Sequence, residues 1–201
     1  MFQMAEMLRI FAPYRGEAIV FPGHAGREWI HISTRPRRDV SLSPPPPMGG
    51  QAAFACGLAL AQPGEKVVLF DSEGNLLMNL GILATVAERA PKNFYHFMLD
   101  NECYATTGGQ PVPNAKNIAY DVIARGAGYP RAFAFEKLED FSANVASIMA
   151  QPGPVFVALK VVPEIDHKPV GQKGGWQKRT REQILQELRA ELGITAPSCT
   201  S

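Results

Sequence analysis

The chain has 201 residues, 46% of them apolar and 19% charged, which is enough for one large domain with a real core. Its net charge of +1 argues against a nucleic-acid binder that neutralises many phosphates, and no apolar run is long enough for a bilayer span. The N-terminus lacks the basic start and small-residue cleavage site of a signal peptide. The cysteines at 56, 103 and 199 have neither metal spacing nor an even count, so a reducing cytoplasm is the expected setting.

Residues 2–12 predict a short helix with Met4, Met7, Leu8 and Phe11 on one face. Residues 17–21 read as the first strand, 23–26 as a turn, and 27–33 as the opening of a helix. The basic, proline-punctuated stretch 34–47 reads as loop, with a short strand at 40–42. An Ala/Gly-rich helix is expected over 49–61. The apolar strand 66–70 runs into Asp71-Ser72-Glu73-Gly74-Asn75, followed by helix over 76–87. A second apolar strand, 94–99, ends at Asp100-Asn101. Beyond a Gly/Pro/Asn loop over 105–117 come a helix (118–125), a strand (131–135), a helix (138–150) and a last core strand (154–162). Strands alternating with helices imply an α/β fold: a doubly wound, mainly parallel sheet with helices on both faces. Residues 1–165 form that domain. Residues 166–201 form a C-terminal extension, basic and Gly-rich over 168–181. Its Thr180 and Gln183 make a capping box for a helix to about Leu192, with Ile184, Leu185, Leu188 and Leu192 on one face.

A carboxylate, Glu73, and a carboxamide, Asn101, thus stand at the ends of two successive strands, 28 positions apart (101 − 73). A right-handed strand–helix–strand unit brings both ends to one sheet edge, where ligands bind. Two hard oxygen ligands there suit a divalent cation bridging a phosphate group to the protein. The plain alternatives are a helix N-terminal acid and a turn Asn. Gly23 and His24 end the first strand at the same edge. His24 either donates to a phosphate oxygen or is simply solvated. Gly23-His24-Ala25-Gly26 is not a Gly-x-Gly-x-x-Gly turn, which disfavours a plain nucleotide-binding module.

The order Ser72-Glu73-Gly74, then Asn101, resembles the diphosphate-binding motif of thiamine diphosphate enzymes: Gly-Asp-Gly, a spacer, then Asn at the next strand end. Residues 73–81 with Ala84-Thr85, and 99–111, narrow the resemblance to sulfopyruvate decarboxylase beta subunits and phosphonopyruvate decarboxylases. That resemblance covers about residues 15–165. It implies thiamine diphosphate and Mg2+ as cofactors, with the metal held by Glu73, Asn101 and the carbonyl of Cys103. It implies cofactor contacts from Gly23, His24, Gly49, Ser72, Gly74, Asn75, Tyr104 and Thr106. Free N–H groups of a helix starting near Asn75 would face the diphosphate. Met48 would wedge between the cofactor rings, and the Pro46 carbonyl would accept from the aminopyrimidine amine. The residue that activates the cofactor, a Glu on a pyrimidine-binding domain, has no room in this chain. It is expected on an alpha partner subunit, in a homo- or hetero-oligomer that covers an apolar face near residues 48–60 and 76–90.

The implied activity is decarboxylation of a small 2-oxo acid resembling 3-sulfo- or 3-phosphonopyruvate. Half of another two-subunit lyase or carboligase, or a degenerate structural partner, remain the alternatives. Two departures bear on this choice. Glu73 stands where the family has Asp, and Pro44-Pro45-Pro46-Pro47 replaces a Gly/Ser-containing stretch. Magnesium demands an octahedral shell with bonds of about 2.0–2.1 Å, so the extra methylene must be absorbed by the backbone, by Asp71, by another metal or by weaker binding.

Overall fold

The structure, a computed structural model, describes residues 1–42, 46–165 and 177–194. The prolines at 44 and 45 and the basic stretch from 168 to 176 lie outside the described residues. In chain order, α1 (Met4–Phe11) precedes β1 (Ile19–Phe21), α2 (Gly26–Trp29) and α3 (Gln51–Ala61). Next come β2 (Val67–Ser72), α4 (Glu73–Leu77), α5 (Ile82–Arg89) and β3 (Phe94–Asp100). The short strands β4 (Cys103–Tyr104) and β5 (Gln110–Pro111) are followed by α6 (Tyr120–Gly126) and β6 (Arg131–Phe135). The last elements are α7 (Leu138–Ala150), β7 (Val155–Lys160) and α8 (Arg181–Glu191).

The main sheet has five strands in the order β1-β2-β3-β7-β6, and every pairing is parallel. Side chains alternate across it with period two. Val67 and Leu69 of β2, Phe94 and Met98 of β3, and Phe156 of β7 face a core closed by α3, α5, α6 and α8. Val68 and Phe70, Tyr95 and Phe97, and Val155 and Val157 face a second core closed by α1, α2 and α7. The crossovers through α3, α5 and α6 all advance across the sheet, and their helices share one face. The return from β6 to β7 runs through α7 on the other face, as right-handed connections require when direction reverses.

Several boundaries differ from expectation. β1 begins at Ile19, because the Glu17 carbonyl is taken by Arg38 Nη1 (2.5 Å). Residues 40–42 add no strand; a single bridge joins Asp39 to Val20, and the Val40 N–H donates to the Val20 carbonyl (2.8 Å). Helix α2 ends at Trp29, well short of residue 33. The helix expected over 76–87 is two helices, with a break at 78–81 where Asn79 turns its side chain to the Gly49 carbonyl. The loop 105–117 contains β5, which folds back on β4 as an antiparallel hairpin. Capping geometry held at the C-terminal helix: Thr180 and Gln183 form both bonds of the box, and Ile184 and Leu188 are buried. No helix among the described residues is long and apolar enough to cross a membrane.

The segment between β1 and α3 is fixed by buried charge. Arg15 donates to Asp39 Oδ1 (3.0 Å), to Ser33 Oγ (2.9 Å) and to the Ala18 carbonyl (2.7 Å). Burial loosens the guanidinium's hold on its proton, and Asp39 offsets part of that loss. Further along, Arg179 of the stretch before α8 donates to the Pro36 carbonyl (2.8 Å), and Gln177 Nε2 donates to the Ser41 carbonyl (3.3 Å). Removing one partner of a buried pair strands the other charge in the core. Asp39→Ala is therefore expected to destabilise the fold by about 3–5 kcal/mol in urea denaturation, and Arg15→Met with Asp39→Leu by distinctly less.

Candidate functional site

Because β1, β2 and β3 are adjacent and parallel, their C-terminal ends share one edge. Gly23 follows β1 there with φ +44°, and a Cβ on it would fall 2.2 Å from the Phe70 carbonyl oxygen. Only glycine lets this turn lie against β2. At the end of β2, Ser72 Oγ accepts from the Asn75 N–H (3.2 Å) and caps α4. The helix therefore starts at Glu73, two positions before the expected start. The Asn75 N–H is taken up by this cap. A Cβ on Gly74 would fall 2.9 Å from the Tyr104 ring, so β4 lies directly against the helix start.

Glu73 is fully buried, and neither carboxylate oxygen has a hydrogen-bond partner. Loss of water raises its pKa to about 7. The nearby backbone N–H groups of Asn101 and Cys103 favour the charged form without reaching bonding geometry, and the Asp100 charge opposes it. The structure thus brings Glu73, Asn101 and Cys103 together at the ends of β2 and β3. The Cys103 thiol is pushed up by burial first and then by Glu73 and Glu102. Tyr120, from α6, was not singled out by the sequence; its hydroxyl is buried without a partner, and its pKa is raised by burial and then by Asp100 and Glu73. An aromatic at a helix start gives no local signal of such a location.

Asn101 is almost fully buried, and its orientation follows from its partners. Oδ1 accepts from the Cys103 N–H (3.1 Å), and Nδ2 lies 3.3 Å from His24 Nε2. Burial lowers the His24 pKa, with Asp71 partly opposing, so the ring is neutral at neutral pH and Nε2 accepts. Asp100 is held by Lys160 Nζ (2.9 Å), which also reaches Glu102 Oε1 (2.9 Å), so one lysine offsets two carboxylates beside Glu73. Asp71 cannot stand in for Glu73. Its Oδ1 accepts from the Ser72 N–H (2.8 Å) and Asn75 Nδ2 (2.6 Å), and its Oδ2 meets His96 Nε2 (3.2 Å). Tyr104 is half-buried in β4, and Thr106 is exposed in the turn that follows. Met48 is 65% exposed, Gly49 is buried beside α4, and Pro46 is half-buried.

Two buried, unpartnered carboxylate oxygens beside a carboxamide oxygen make a hard, all-oxygen donor set that fits Mg2+ or a similar divalent cation. Among the described residues no three His, Cys, Asp or Glu side chains gather as a metal cluster, so such a cation would need the carboxamide and backbone oxygens as well as Glu73.

The family described as thiamine pyrophosphate enzyme, C-terminal TPP binding domain, matches residues 29–159. A phosphonopyruvate decarboxylase from Streptomyces viridochromogenes is 34% identical over 163 residues, which are 80% of this chain and 40% of that protein. A sulfopyruvate decarboxylase subunit beta from Methanothermobacter thermautotrophicus is 36% identical over 148 residues, 74% of this chain and 75% of that subunit. A solved structure assigned as a thiamin diphosphate-dependent enzyme from Mycobacterium smegmatis superposes with a TM-score of 0.61 at 19% identity, over 80% of this chain and 31% of its own, which shows the fold.

The raised pKa of Glu73 has a thermodynamic signature. The unfolded chain gives up this proton near pH 4.5 and the folded protein near 7. Between those values the folded state holds more protons, so the group's contribution to stability falls as pH rises through the window and levels off above 7. Glu73→Gln lacks this loss. Its stability relative to wild type is expected to climb from pH 4.5 to 7 by about 3 kcal/mol, read from urea denaturation without divalent metal.

Proposed function

The chain belongs to the thiamine pyrophosphate enzymes, by its match to their C-terminal cofactor-binding domain, and on that premise we propose that it is the diphosphate-binding subunit of a 2-oxo acid decarboxylase. The substrate proposed is a small 2-oxo acid bearing a sulfonate or phosphonate, in keeping with the names of the relatives. The observation that carries the reading is the buried, unpartnered carboxylate of Glu73 beside Asn101 at adjacent strand ends. In this reading Glu73, Asn101 and the Cys103 carbonyl hold Mg2+. Gly23, Gly74, Tyr104 and Thr106 border the diphosphate. Neutral His24 holds the Asn101 amide so that its oxygen stays turned toward the metal. Met48 supports the cofactor rings, and the Pro46 carbonyl accepts from the aminopyrimidine. Bound thiamine diphosphate supplies the electron sink that lets a 2-oxo acid lose CO2. This chain's own work is to grip, to orient and to keep water from the diphosphate.

The activating Glu belongs, in the same reading, to a pyrimidine-binding alpha partner, and residues 1–165 are the unit that meets it. Met48, Phe54, Leu60 and Met78 are large apolar side chains left exposed on and around α3 and α4, which supports a covered face there. The free thiols of Cys56 and Cys103 fit a reducing, cytoplasmic setting. The substitution of Glu for Asp at 73 favours one other reading, a subunit that has lost the cofactor and serves as a structural partner.

Calorimetric titration with thiamine diphosphate and Mg2+, with and without a candidate alpha chain, separates the two. Glu73→Asp is expected to keep the fold and tighten Mg2+-dependent binding about tenfold, roughly 1.4 kcal/mol, and Glu73→Ala to abolish it. Equal binding by all three proteins would remove Glu73 from the metal site, and no binding by any would favour the structural partner. In sedimentation the active species is expected to be an oligomer whose contacts bury more than about 1,000 Å². Substituting Phe54 and Leu60 by Lys should dissociate it.

A further inference from the structure

The turn that carries Met48 is held from one side by two carboxamides. The Gly50 N–H donates to the Pro47 carbonyl (2.7 Å), closing a four-residue turn over 47–50. Gly49, third in the turn, has φ +81°, the left-handed conformation that a type II turn demands there. This geometry pushes Met48 outward at the tip. The peptide groups flanking Gly49 are then tied down on both sides. The Gly49 N–H donates to Asn75 Oδ1 (2.7 Å), and Asn79 Nδ2 donates to the Gly49 carbonyl (3.1 Å). A Cβ on Gly49 would fall 3.1 Å from Asn79 Cβ, so turn and helix segment are in contact. Asn75 is itself fixed. Its Nδ2 donates to Asp71 Oδ1 (2.6 Å), and Asp71 is buried in β2 with its other oxygen against His96. The two partners of Asn75, an N–H and a carboxylate, leave one orientation for its amide.

We infer that Asn75 and Asn79 are positioning residues that set the height of the Met48 turn above the sheet edge, with Asp71 as the anchor of Asn75 in the core. The inference rests on the reading that Met48 supports the cofactor rings. It assigns the Asn75 side chain to that support instead of to the diphosphate. The relay runs from the same segment that supplies Glu73, so metal end and ring end of the cofactor would be registered by one stretch of chain, residues 71–79. A side chain that gripped phosphate and one that held the turn would respond differently to truncated ligands. Inorganic diphosphate with Mg2+ needs only the metal end; thiamine diphosphate needs both.

The test uses the full chain together with its candidate alpha chain, the Asn75→Ala and Asn79→Ala variants in the same pairing, amide hydrogen exchange and calorimetry. In Asn75→Ala the Gly49 amide is expected to exchange at least tenfold faster. Affinity for thiamine diphosphate with Mg2+ is expected to fall about tenfold, while affinity for inorganic diphosphate with Mg2+ stays within twofold. Asn79→Ala, which frees only the carbonyl side, should show the same pattern to a smaller degree. Unchanged exchange at Gly49, or an equal loss for both ligands, would overturn the inference. If wild type binds neither ligand, the proposed function falls with the cofactor part of the inference, and the exchange rates still decide whether Asn75 holds the turn.

Discussion

The carboxylate of Glu73 is the constraint around which the sheet edge is built. Parallel pairing of β1, β2 and β3 brings three strand ends together, and α4 begins at once after β2, so its first side chain has no route to solvent. A buried anion without a partner is costly. The surroundings lower that cost without cancelling it. Backbone N–H groups of Asn101 and Cys103 lie close by, and Lys160 neutralises Asp100 so that two bare carboxylates do not face each other. What remains unsatisfied is what a cation would satisfy. Beside it the Asn101 carboxamide is held in one orientation, by the Cys103 N–H on one side and His24 on the other.

Most of the architecture was legible because parallel strands buried on both faces are near-continuous apolar runs, and β2, β3 and β7 are of that kind. Helix α7 and the capping box of α8 were legible for the same local reason: caps and periodicity lie within a few residues. The hairpin of β4 and β5 was not, since strands of two residues carry no period. Nor was the break between α4 and α5. Its cause is a bond from Asn79 to Gly49, 30 positions away, and no local pattern announces a partner at that distance. At the site, spacing alone brought Glu73 and Asn101 to one edge. It missed the work of Ser72 and Asn75, whose polar atoms face each other and the chain upstream. It also missed Tyr120, which reaches the edge only because α6 packs beneath it. The depth of Glu73 was equally invisible, because a carboxylate in a helix's first turn is ordinarily wet.

Helix α8 connects these local arrangements to the order in which the chain is made. It packs Ile184 and Leu188 into the core that Val40 enters, and the residues before it bond the carbonyls of Pro36 and Ser41. Those carbonyls belong to the stretch between β1 and α3. Gln177 and Ser41 are separated by 136 positions, so the stretch between β1 and α3 is synthesised long before its brace exists. At ordinary rates of about 5–20 residues per second the interval is about 7–27 s. During that time the stretch between β1 and α3 has no cover from α8. The brace that α8 gives the stretch between β1 and α3 is therefore the last of these contacts that synthesis makes available.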